Sequence, residues 1–94
     1  MAAYIALVHK DEGTSYGVSL PDVHGCISAG DTFEEAIANA GEALAGHFVA
    51  MRADDEAIPA PRSFEDLRHD PDFIADSEGA IVAMVMPREI VAAE

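Results

Sequence analysis

The chain has 94 residues, five Lys plus Arg against 18 Asp plus Glu, a formal charge of -13, one cysteine and no tryptophan. That length holds one domain with a modest core, which excludes a two-domain arrangement and makes self-association, as a dimer or tetramer, an expectation. The charge repels phosphate backbones and anionic bilayers and draws basic partners inward, so direct nucleic-acid binding is not expected.

In chain order, the opening Met1-Ala-Ala-Tyr-Ile-Ala-Leu-Val carries no basic leader, and its apolar run is far below the ~20 residues that span a bilayer, so a cytoplasmic setting is the default. Tyr4 to His9 reads as a strand, Lys10 to Thr14 as a tight connection and Tyr16 to Leu20 as the returning strand of a hairpin. Pro21-Asp22 and His24-Gly25 break the chain, and Cys26 to Ala29 forms a third short strand stopped by Gly30.

Thr32-Phe33-Glu34-Glu35 fits a capping box, with Thr32 accepting from the third helical amide and Glu35 reaching back to the cap; Asp31 is the alternative cap. Phe33, Ile37, Ala40, Leu44, His47, Phe48 and Met51 then fall on one stripe of a helix over residues 32–52. Glu34, Glu35, Asn39 and Glu42 occupy its other face. Ile58-Pro59-Ala60-Pro61 is an extended linker, Ser63 caps a short helix over 64–68, and charged runs such as Asp54-Asp55-Glu56 and Asp70-Pro71-Asp72 read as solvated loop ends. Ala80 to Met86 is apolar on both alternating sets, the pattern of a strand covered on both faces or central in a sheet. The sum is an α+β fold in β-β-β-α-β order, a small, mostly antiparallel sheet with one long helix packed across it and the last strand beside the first.

The stretch Ser19-Leu-Pro-Asp-Val-His-Gly-Cys-Ile-Ser-Ala-Gly-Asp-Thr32 concentrates residues that could carry chemistry. Asp22, His24 and Cys26 alternate as metal ligands on a strand would, but a zinc site wants four ligands and the chain offers no second Cys or tight His pair. Cys26 with His24 as its base is poor nucleophile geometry, and no Gly-rich oxyanion loop follows. The structural alternative is a chain reversal built by Pro21-Asp22 and Gly25, with Cys26 a small buried hydrophobe that has no disulfide partner. His47 in the helix stripe reads as a core or interface residue.

Tyr16 through Leu44 resembles the signature of HicB-like antitoxins: an aromatic residue, Pro-Asp-x-x-Gly-Cys, then Gly-Asp-Thr-x-x-Glu-Ala and a long helix. The likeness covers the first half of the chain closely and the second half by order of elements. It implies a partial ribonuclease-H-like fold and a partner, a small basic HicA-like ribonuclease toxin, whose RNA-binding surface the acidic chain would occlude. Many members of that family carry a C-terminal DNA-binding segment, whereas this sequence ends seven residues past Pro87. The expected organisation is therefore an antitoxin domain over 1–87 and a tail over 88–94, with DNA binding not carried over.

A ribonuclease-H-like fold raises the alternative of a surviving nuclease, which needs converging carboxylates to hold two metals. The first strand, Tyr4 to His9, and the last, Ala80 to Met86, offer none. The expectation is thus a non-enzymatic protein without cofactor, with Tyr16, Asp22, His24 and Asp31 as the candidate partner contacts. The alternative is a stand-alone homo-oligomeric interaction protein without a toxin.

Overall fold

A computed structural model describes residues 2–88. Its elements are β1 (Tyr4–Lys10), β2 (Tyr16–Ser19), β3 (Ile27–Gly30), α1 (Phe33–Ala53), α2 (Phe64–Leu67), α3 (Pro71–Asp76) and β4 (Ile81–Val85). The four strands form one antiparallel sheet in the order β3-β2-β1-β4, so the last strand does lie beside the first. The expected tail, from residue 89 on, lies outside the described residues.

β1 is the strand that the sheet covers on both sides. Tyr4, Ala6 and Val8 face α1 and pack with Val18, Leu20, Leu44, Phe48 and Val85, while Ile5 and Leu7 face the other way onto Leu67 and Phe73. A five-residue buried run follows from a central position plus a cover on each face, α1 on one and the α2–α3 pair on the other. The sequence pattern suggested this placement for the last strand, and the structure corrects it. β4 is an edge strand, and Ile81, Val82 and Met84 are exposed together with Met86 beyond its end. Apolar character on both alternating sets records a lack of charge, whereas cover depends on which elements lie opposite.

The helix begins where the capping pattern placed it. Thr32 Oγ1 accepts the Glu35 amide at 3.0 Å, but Glu35 closes the box one residue early, its Oε1 accepting the Asp31 amide at 3.0 Å. Asp31 is thus a partner within the box and Thr32 is the cap. The buried line of α1 is Ala36, Ala40, Gly41, Leu44, Ala45 and Phe48, with Phe33, Ile37, His47 and Met51 half-buried along its margins. Small residues on that line let the helix axis approach the sheet closely, which a larger stripe would prevent.

Ser63 caps α2, its Oγ accepting the Asp66 amide at 3.1 Å. Asp70-Pro71-Asp72, read as a solvated loop end, instead opens α3: Asp70 Oδ1 accepts the Asp72 amide at 2.9 Å and Pro71 occupies the first turn. Proline fits there because its missing N–H has no intrahelical partner to lose. Phe73 from α3 then closes the second core against Leu67, with Phe64 edge-on to its ring.

Candidate functional site

The turn between β2 and β3 follows from three backbone hydrogen bonds. The Val23 amide donates to Leu20 O at 3.1 Å, the Cys26 amide to Val23 O at 3.1 Å and the Leu20 amide to Cys26 O at 3.3 Å. Two successive reversals point Leu20, Val23 and Cys26 inward, at 4, 1 and 4 % exposure, and leave His24 and Gly25 outside. Gly25 sits at φ 85°, a left-handed conformation that side-chain-bearing residues rarely adopt. Burial raises the Cys26 thiol above its usual range, so the sulfur behaves as a core atom.

Asp22 does not face solvent. Its Oδ2 accepts the Arg62 amide at 2.6 Å and its Oδ1 accepts Arg62 Nε at 2.6 Å, leaving the side chain 6 % exposed. Arg62 Nη1 donates in turn to Asp70 Oδ2 at 2.9 Å. One guanidinium therefore ties the turn to the start of α3, and it is held charged chiefly by the Asp70 and Asp22 hydrogen bonds, which push its titration still higher. Asp70 is held below the usual carboxylate range, first by Arg62 and then by the Asp72 amide. A second fastener lies nearby, where Tyr4 Oη donates to Pro59 O at 2.5 Å. The proline-rich linker is thus strapped to the core at Pro59 and Arg62, a function that local sequence patterns give no sign of.

Beside this clamp is an open cleft of about 340 Å³, lined by Pro21, His24, Asp72, Phe73 and Asp76 along with the Arg62–Asp70 pair. His9 Nε2 is 2.9 Å from Asp76 O at its margin. Asp72 and Asp76 form no ion pair among the described residues.

The four residues singled out in the sequence fall into two places. Asp22 and His24 sit on the turn that joins the end of β2 to β3. Tyr16 pairs with Gly30 at the other end of those strands, next to Asp31 and roughly 10 Å away at ~3.3 Å per residue. Tyr16 is half-buried, its ring edge-on to Phe33 at 6.2 Å and covered by Lys10 Nζ at 5.5 Å. Asp31 and His24 are exposed.

The electrostatics are one-sided because so many of the few cations are already engaged. Arg62, Arg68 and Arg88 pair with Asp22 and Asp70, Glu65, and Glu42 respectively. Glu34 on α1, the Asp54-Asp55-Glu56 run and the α3 carboxylates remain unopposed among the described residues. Such a surface binds cations of a partner by complementarity, most of its effect falling on association rate and selectivity. Among the described residues no group of three or more His, Cys, Asp or Glu is placed to hold a metal ion, and no helix is long and apolar enough to cross a membrane.

Comparison with known proteins places this geometry. Residues 4–90 match the model of a family described as the HicB-like antitoxin of bacterial toxin-antitoxin systems. The crystal structure of the Burkholderia pseudomallei antitoxin HicB is similar over 100% of this chain and 76% of its own, with a TM-score of 0.75 and 31% identity. A HicA3 and HicB3 toxin-antitoxin complex contains a chain similar over 89% of this one and 95% of its own, with a TM-score of 0.71 and 29% identity. Among curated relatives, a 14.9 kDa protein from the rep-hol intergenic region of Haemophilus phage HP1 is 47% identical over 58 residues, 62% of this chain and 44% of that protein. The chain thus spans under half the length of that relative.

Proposed function

Since the chain belongs to the HicB-like antitoxins of bacterial toxin-antitoxin systems, we propose that it binds a small basic ribonuclease toxin in the cytoplasm and neutralises it by covering the surface that would meet RNA. The observation that carries this reading is the excess of unopposed carboxylates on a chain of net charge -13, most of whose cations are tied up in its own ion pairs. Structures similar to this chain include antitoxins held in complexes with their toxins. Carboxylates presented on a rigid frame compete for the Lys and Arg side chains that otherwise contact phosphates.

In this reading the chain acts by occlusion and performs no chemistry. His24 and Asp31, both exposed, touch the toxin directly. Tyr16 and Asp22 act from beneath, Tyr16 by supporting the β3–α1 junction and Asp22 by holding the turn that carries His24.

The test is to express the chain together with the small reading frame encoded beside it. Expected are rescue of growth, a complex that survives purification and stoichiometric inhibition of RNA cleavage by the purified toxin. An active toxin that the chain neither rescues nor binds refutes the proposal, as does EDTA-sensitive RNA cleavage by the purified chain itself.

A further inference from the structure

The two faces of the sheet are covered unequally. Among the described residues, twelve buried side chains make up the core between α1 and one face, whereas the other face holds only Ile5 and Leu7 of β1 under Leu67 and Phe73. Residues 62–79, which carry α2 and α3, supply that second cover. They are knit mainly to one another: Ser63 and Asp70 cap the two helices, Arg62 pairs with Asp70, and Phe64 stands edge-on to Phe73. Among the described residues, no backbone–backbone hydrogen bond runs from 62–79 to α1 or to a strand. What fastens the segment is the burial of Leu67 and Phe73, the two bonds from Arg62 to Asp22, and the contact of His9 Nε2 with Asp76 O.

We propose that residues 62–79 form a lid that opens as one unit, leaving α1 and the four strands folded, and that its closure assembles the cleft beside the turn. The two ends permit such a motion. Tyr4 Oη holds Pro59 and Ile58 packs at the margin of the first core, so the chain is anchored just before the segment, and Gly79 at φ 73° turns it toward β4. Opening gives up a four-residue core and three polar links, while the twelve-residue core stays intact.

The walls of the cleft come from both sides of the seam. Pro21 and His24 belong to the turn; Asp72, Phe73 and Asp76 belong to the lid. The same Arg62 that fastens the lid does so through Asp22, two residues from His24, so opening also releases the turn that carries His24. A partner that touches His24 and the α3 carboxylates together therefore binds the closed state and holds the lid shut. That coupling rests on the toxin-binding reading, whereas the lid itself does not.

The test is native-state hydrogen exchange of the full chain at low, stepped urea, followed residue by residue. The probes in the lid are the amides of Leu67, Arg68, Ile74 and Ser77, which donate to Ser63 O, Phe64 O, Asp70 O and Phe73 O, and the reference is the β1 ladder. Expected is one shared opening free energy for the four lid amides, with exchange at least about a hundredfold faster than in β1 once intrinsic rates are removed. Gly46→Ala, on α1 with nothing within 4 Å of the added carbon, should slow β1 exchange about two- to fivefold and leave the lid amides unchanged. Asp22→Asn should speed lid and β1 amides alike by about tenfold, because it weakens the closed state from which both openings start. Lid amides that exchange at the β1 rate and slow with Gly46→Ala overturn the proposal, as do α2 and α3 amides with separate opening free energies or with no protection. With a cognate toxin in excess, lid exchange should slow at least about tenfold further. A complex whose lid amides exchange as in the free chain overturns the coupling, while a chain that shows the lid but binds no toxin leaves the lid standing and removes the proposed function.

Discussion

Replacing Gly30 with alanine tests whether the Gly-Asp-Thr element is structural. A Cβ built on Gly30 lies 2.4 Å from the Ala36 amide nitrogen, 2.7 Å from its Cα and 2.8 Å from the Glu35 carbonyl carbon. All three are backbone atoms in the first turns of α1, so no side-chain rotation relieves the contact. Either β3 or the helix start must shift. Overpacking of a core costs about 1–3 kcal/mol, and a contact with backbone belongs at or above the upper end, about 3 kcal/mol. For a domain of this size each kcal/mol lowers Tm by about 4–8 °C, so Gly30→Ala should melt roughly 12–24 °C below wild type. Urea titration followed by circular dichroism gives the free energy directly, and the slope checks that folding stays cooperative. Gly46→Ala is the matched control: nothing lies within 4 Å of the added carbon, and the helix should gain about 0.5–1 kcal/mol. A Gly30→Ala loss below about 1 kcal/mol with an unchanged slope would refute the close-approach argument.

Further outcomes follow from the same geometry. Asp70 titrates below its unfolded value, so its contribution is fully present above the ordinary aspartate range, near pH 4, and disappears as pH falls through the depressed native value; Asp70→Asn should flatten this acid limb of the stability curve, measured by melts at stepped pH. Cys26, raised by burial, should resist thiol reagents in the native protein and react at a rate that follows unfolding as denaturant is added; prompt labelling at neutral pH would contradict its placement in the core. Once a cognate toxin is in hand, reversing Glu34 and Asp72 to Lys should slow association several-fold, with a difference that fades at high salt, as measured by stopped-flow or surface binding. His24→Ala and Asp31→Ala should speed toxin dissociation by about tenfold without changing Tm, and no change in either would remove them from the interface.

Much of the architecture was legible in the sequence because its signals are local. The hairpin, the Thr32 cap, the long helix and the Ser63 cap each depend on residues within one or two turns of one another, and each appears where the pattern put it, although the buried line of α1 is turned toward Ala36, Gly41 and Ala45 and leaves Phe33, Ile37, His47 and Met51 at its margins. α3 was missed although Asp70-Pro71 is a helix-start signal, because the surrounding acidity read as a solvated loop. What was not legible depends on distance along the chain. Arg62 closes on Asp22 across 40 residues, and nothing near either one announces the other. For the same reason the uncharged β4 looked like a central strand: cover is a property of neighbours, and β4 has α1 and β1 on its inner side and, among the described residues, no strand beyond.

These distinctions change what the recognisable motif means. Pro-Asp-x-x-Gly-Cys supplies the buried Val23 and Cys26, the positive φ of Gly25 and the carboxylate that clamps Arg62. Gly-Asp-Thr-x-x-Glu supplies the close packing at Gly30, the amide of Asp31 and the capping of α1. Nearly every element of the signature is therefore occupied in holding β3, the turn and the helix together, and only His24 and the Asp31 side chain stand free of that role. A residue committed to the fold cannot also discriminate among partners without cost to stability. On the proposed function, the choice of partner then falls to His24, the Asp31 side chain and the unopposed carboxylates of α1, the 54–56 run and α3. Variation at those positions should change which protein is bound while the melting behaviour stays the same.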